Sequence, residues 1–96
     1  MFLIDVRYVV PLEEVDEALA DHVAFLKENY ARGVFVVSGR KMPRTGGIIL
    51  ARNVSRAELD DILGKDPFRQ RGLATYQVTE FVASMAAPDV ATLRKG

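Results

Sequence analysis

The 96-residue sequence predicts an α+β fold in which a four-stranded antiparallel sheet carries two helices on one face. Three observations carry this. Residues 2–10 and 73–83 alternate in hydropathy with period two, the pattern of strands. Between them, residues 12–32 repeat apolar side chains every three or four positions, the pattern of a helix. Glycine, proline and capping signals then divide residues 33–72 into two short strands and a second helix. The element order is β-α-β-β-α-β, the ferredoxin-like split βαβ arrangement.

In the first strand Phe2, Ile4, Val6, Tyr8 and Val10 form a fully apolar set, and Leu3, Asp5, Arg7 and Val9 a mixed one. Pro11 ends it, because proline has no N–H to give a sheet ladder. The following helix has its expected core stripe at Leu12, Val15, Leu19, His22, Leu26 and Tyr30. Acids at Glu13, Glu14, Asp16 and Glu17 and bases at Lys27 and Arg32 suit the two ends of the helix dipole. Gly33 is the expected stop, and Asp21 is a candidate cap if the helix kinks near Ala20.

Residues 34–38 and 48–52 read as the two strands of a hairpin, joined by a long turn across 40–47. Gly46-Gly47 is not a phosphate loop: a strand follows it, and no Lys-Ser/Thr pair does. Ser55 with Glu58 three positions later is a capping box, and that helix carries Leu59, Ile62 and Leu63 inward until Gly64. Asp66-Pro67 opens one more helical turn, ending near Gly72. Residues 1–83 therefore make one domain, and 84–96 form a tail in which Pro88-Asp89 starts a short helix. In the first and last strands, Leu3, Asp5, Arg7 and Val9 with Gln77, Thr79 and Phe81 are expected to make the sheet face opposite the helices half apolar. A second copy of the chain is its expected cover, so the sequence predicts a homodimer.

Thirteen basic and thirteen acidic residues cancel, whereas a nucleic-acid binder gathers a basic excess. No cysteine is present, which excludes disulfides and thiolate chemistry. One histidine falls short of a metal site, and no cofactor is expected. No apolar run approaches the ~18 residues that span a bilayer, so no membrane partner is expected. The N-terminal run, interrupted by Asp5 and Arg7, lacks the layout of a signal peptide, and the expected location is cytoplasmic.

Several of these segments together resemble the YciI-like proteins of the dimeric α/β-barrel group. They are His22-Val23-Ala24-Phe25-Leu26-Lys27, Gly33, Ser38-Gly39, the strand Gly46-Gly47-Ile48-Ile49-Leu50, and Asp66-Pro67-Phe68 followed by Gly72-Leu73. The resemblance covers about residues 1–83. It implies homodimers with a cleft that contains the histidine and an aspartate partner. It also implies related activities such as removal of HCl from a chlorinated hydroxyquinol, and, across the wider group, muconolactone isomerisation and small monooxygenases. Many members place an acid shortly after the glycine matching Gly39. Here the loop reads Arg40-Lys41-Met42-Pro43-Arg44, which makes that rim basic.

His22 has two readings: a general acid/base, since an imidazole pKa of ~6.5 suits proton transfer near neutrality, or a half-buried core histidine. Asp66 is either the carboxylate that orients His22 or the N-cap that the following proline favours; Asp5 and Asp21 are the other candidates. Ser38, Gly39, Arg40, Arg44 and Phe68 are the expected substrate contacts, the arginines as a clamp for a carboxylate or phenolate. Tyr8 and Tyr76 are read as apolar pocket wall or plain core. The expected function is a cofactor-independent lyase or isomerase that abstracts a proton from a small cyclic or aromatic acid. The alternative is a non-catalytic small-molecule-binding or accessory module.

Overall fold

A computed structural model of the chain describes residues 1–94. The elements run β1 (Phe2–Tyr8), α1 (Leu12–Ala31), β2 (Phe35–Arg40), β3 (Gly46–Ala51), α2 (Arg56–Leu63), the single turn α3 (Pro67–Gln70) and β4 (Ala74–Glu80). A 3-10 segment, Pro88–Leu93, follows in the tail. The sheet order is β2-β3-β1-β4 with every neighbouring pair antiparallel, which is the ferredoxin-like α+β arrangement.

The alternation in β1 sorts as its sequence implies. Phe2, Ile4 and Val6 are buried under the helices, and Leu3, Asp5 and Arg7 lie on the opposite face. The core closes with Ile49 and Ala51 from β3, Ala74 from β4, Val15, Ala18 and Phe25 from α1, Leu59, Ile62 and Leu63 from α2, and Phe68. Fully burying a side chain of this kind stabilises the fold by about 1.5–3 kcal/mol. The capping box at Ser55 forms in both directions, with Glu58 N–H donating to Ser55 Oγ and Ser55 N–H to Glu58 Oε1. Gly33 follows the end of α1 with φ +75°, a conformation that side chains rarely adopt. Gly46 is required by proximity: a Cβ there would meet the Val6 carbonyl oxygen at 1.8 Å on the paired central strand.

Two expectations for α1 change. The helix runs unbroken from Leu12 to Ala31, and Asp21 caps nothing; its carboxylate pairs with Arg71 at 2.7 Å. The buried stripe is Val15, Ala18, Phe25 and Asn29, whereas Leu12, Leu19 and Tyr30 remain more than one-third exposed. The periodicity located the right side of the helix but placed its centre about one position off, because Leu19 and Leu26 face a cavity rather than packed core. The hairpin is also tighter than expected: Gly46 and Gly47 belong to β3, and Lys41 N–H bonds to Gly46 O to close the loop. Among the described residues no helix is long and apolar enough to cross a membrane.

Candidate functional site

The site grows from the short helix α3. Asp66 is extended at the N-cap, and its Oδ1 accepts the Phe68 N–H at 3.0 Å, which starts the turn. Pro67 at the first helical position needs no N–H partner. The same turn buries Phe68 and withdraws Asp66 completely from solvent. A buried carboxylate needs its lone pairs occupied, and Asp66 finds three donors from three elements. Besides the Phe68 N–H, His22 Nδ1 on α1 lies 2.8 Å from Oδ1, and the Tyr76 hydroxyl on β4 donates to Oδ2 at 2.5 Å.

This geometry assigns the imidazole tautomer. An ionised carboxylate only accepts hydrogen bonds, so the proton in the His22–Asp66 contact sits on Nδ1. Nε2 is the remaining nitrogen, and among the described residues no hydrogen bond reaches it. The ring is held from a second direction by Phe68, stacked parallel to it with centroids 3.9 Å apart and planes 8° apart. Tyr8 meets the Phe68 ring edge-on. The His22 side chain is 12% exposed, enough to meet a ligand and too little to turn freely.

His22 lines a cavity of about 380 Å³ between α1 and the β2–β3 half of the sheet. Leu19, Val23, Leu26, Val6 and Ile49 supply its apolar wall. Ser38, Gly39, Arg40, Arg44 and Phe68 all border it too, so the structure gathers every expected contact residue around His22, with Asp66 behind the ring. Two of them already have partners. Ser38 Oγ shares a 2.6 Å hydrogen bond with Tyr30 Oη, and Arg44 donates to Asp16 at 2.6 Å. That carboxylate raises the Arg44 pKa further above its ordinary value, chiefly through the hydrogen bond. Arg40 has no ion-pair partner among the described residues.

The other candidate carboxylates are spent elsewhere, Asp5 on Lys41 and Asp21 on Arg71. The two readings of Asp66 prove compatible: one oxygen caps α3 and holds His22 together. Tyr76 is the residue whose place sequence reasoning missed. It does not border the His22 cavity, and its hydroxyl stands behind Asp66. Burial first, and the Asp66 charge second, push its phenol well above the ordinary tyrosine range, so it remains a donor. A signal existed in the sequence, since Tyr76 falls on the helix-facing set of β4, where a tyrosine hydroxyl needs a partner. Which partner was a matter of folding. Among the described residues no group of three or more His, Cys, Asp or Glu side chains converges as a metal site would require.

Among curated proteins no sequence match reaches significance. Among solved structures, the chain is similar to 5-chloro-2-hydroxyhydroquinone dehydrochlorinase (TftG) from Burkholderia phenoliruptrix AC1100, in complex with 2,5-dihydroxybenzoquinone. The TM-score is 0.71 at 22% identity, covering 84% of this chain and 93% of that one. At that identity the likeness establishes the fold. The sequence pattern of the YCII-related domain matches residues 1–82, from the first strand past the last and through both His22 and Asp66, and the chain belongs to that family.

Proposed function

We propose that this protein is a cofactor-independent lyase or isomerase in which His22 Nε2 abstracts a proton from a small cyclic or aromatic acid. The observation that carries the reading is the 2.8 Å contact of His22 Nδ1 with the buried Asp66, at the wall of an apolar cavity. Asp66 orients the ring and stabilises the imidazolium formed when Nε2 takes the proton. The substrate bond to hydrogen breaks toward Nε2, and its electron pair moves into the ring system. In an elimination a leaving group then departs with its bonding pair as an anion; in an isomerisation the imidazolium returns the proton to another carbon. Arg40, which borders the cavity, would pair with a substrate carboxylate or phenolate, and Arg44 would join it only if Asp16 yields. The dehydrochlorinase activity named for the structural neighbour is an elimination of this kind.

The test is turnover on a panel of halogenated and hydroxylated cyclic acids and hydroquinones, read as halide release and as solvent deuterium entering recovered substrate. His22→Ala is expected to abolish both while circular dichroism remains native. A His22→Ala protein of wild-type activity would overturn the assignment.

A second reading, a binding module without chemistry, is favoured by two features: the loop after Gly39 carries no acid, and the Arg44 charge is already met by Asp16. Saturable thermal-shift binding of panel compounds with neither halide release nor deuterium incorporation would favour it.

The assembly proposed is a homodimer through the open sheet face. Leu3, Val37, Ile48 and Leu50 form an apolar cluster there, with Val37 56% exposed. Light scattering is expected to return twice the 10.7 kDa chain mass at micromolar concentration, and a monomer would refute it.

A further inference from the structure

We infer that Tyr76 is the positioning residue of the His22–Asp66 pair: its hydroxyl fixes the plane of the buried carboxylate, so that Oδ1 holds the Nδ1 proton and Nε2 faces the cavity. The inference rests on the reading of His22 as the base, but it concerns ring geometry and can be tested without a substrate.

The argument starts from the freedom of an aspartate. Rotation about the Cβ–Cγ bond is soft and nearly two-fold, so a carboxylate held through one oxygen can tilt or exchange its oxygens. The N-cap and the His22 contact both use Oδ1. By themselves they leave Oδ2 buried without a partner, which is unfavourable, and leave the plane free to turn. Tyr76 supplies the second point. Its hydroxyl meets Oδ2 at 2.5 Å from a different element, and its backbone is opposite Val6 on the central strand β1. The Arg69 guanidinium lies 5.5 Å from the ring centroid and limits movement of the ring body. Burial keeps the phenol protonated, so Tyr76 donates to the carboxylate and does not compete with it for the His22 proton. α1, α3 and β4 thus triangulate one carboxylate, and the carboxylate in turn fixes one imidazole.

A packing role alone would need only the ring of Tyr76. Tyr76→Phe keeps the ring and removes the hydroxyl, so it separates the two. With ring-labelled histidine, nitrogen NMR of the wild-type protein at alkaline pH is expected to show a single Nδ1–H tautomer. In Tyr76→Phe the Nε2–H tautomer is expected to appear beside it, and the Nδ1 proton to exchange with water roughly tenfold faster, as loss of one charge-assisted hydrogen bond implies. In an Asp66→Ala background the same change is expected to have no further effect, because the carboxylate it acts through is gone. An unchanged tautomer and exchange rate in Tyr76→Phe, or equal effects in both backgrounds, would overturn the inference.

Should Tyr76→Phe fail to fold, the wild-type protein decides. A Tyr76 hydroxyl proton protected from exchange and close to the His22 Nδ1 proton is expected, and a rapidly exchanging hydroxyl would refute the assignment. Loss of turnover in His22→Ala tests the base, and the tautomer in Tyr76→Phe tests the positioning. Either can fail alone.

Discussion

Two regions of this molecule use the same kind of interaction to opposite ends. Around Asp66, a cation-forming ring, a phenol and an amide converge on one carboxylate removed from water. On the surface, Arg44–Asp16, Arg71–Asp21 and Arg56–Asp60 are pairs of similar length between partly exposed side chains. Screening and side-chain entropy leave exposed pairs worth little, while a buried charge must be matched atom for atom. The buried cluster can therefore set the orientation and tautomer of a single ring, which a solvated surface pair cannot do.

The largest effect should come from breaking the buried side. Asp66→Ala strands three donors and removes the α3 cap, and is expected to lower unfolding free energy by about 3–5 kcal/mol in a urea titration. A loss no larger than for a surface pair would erase the distinction. Tyr76→Phe should lose less, about 1.5–3 kcal/mol, the range for a hydrogen bond to a charged group. It also has a pH signature. The native phenol titrates above its ordinary value of ~10, so the unfolded chain releases the proton first. The stability Tyr76 contributes is thus complete below pH ~10 and falls as pH rises beyond it, and Tyr76→Phe should flatten that alkaline decline. A decline of unchanged slope would mean that Tyr76 ionises in the native protein.

Ser55→Ala, which opens an exposed capping box, should lower stability by about 1 kcal/mol in the same titration. At the small end, Arg71→Ala removes the pair with Asp21 and should leave the denaturation midpoint unchanged within error. A clear shift there would show that the surface pairs contribute to stability after all.

The strand alternation, the Ser55–Glu58 box and the Asp66-Pro67 helix start are local signals, and each predicted its element closely. His22 and Asp66 could be named as the first candidates, ahead of Asp21 and Asp5, yet the contact between them was not legible. Asp21 is next to His22 in the chain but points elsewhere, because adjacent helix positions do not face each other. Asp66 is 44 positions away and meets it through the fold. The stripe on α1 was displaced for a related reason: hydropathy registers Leu19 and Leu26 as apolar without distinguishing core from cavity wall.

The sequence by itself determined the element order, the caps at Ser55 and Asp66 and the helix-facing set of the first strand. These follow from backbone preferences and from periodicities that operate over a few residues. Only the tertiary structure decided that one Asp66 oxygen serves both a helix cap and an imidazole, and that Tyr76 closes the other. Those contacts join α1, α3 and β4, and a hydrogen bond between distant segments leaves no local pattern to read.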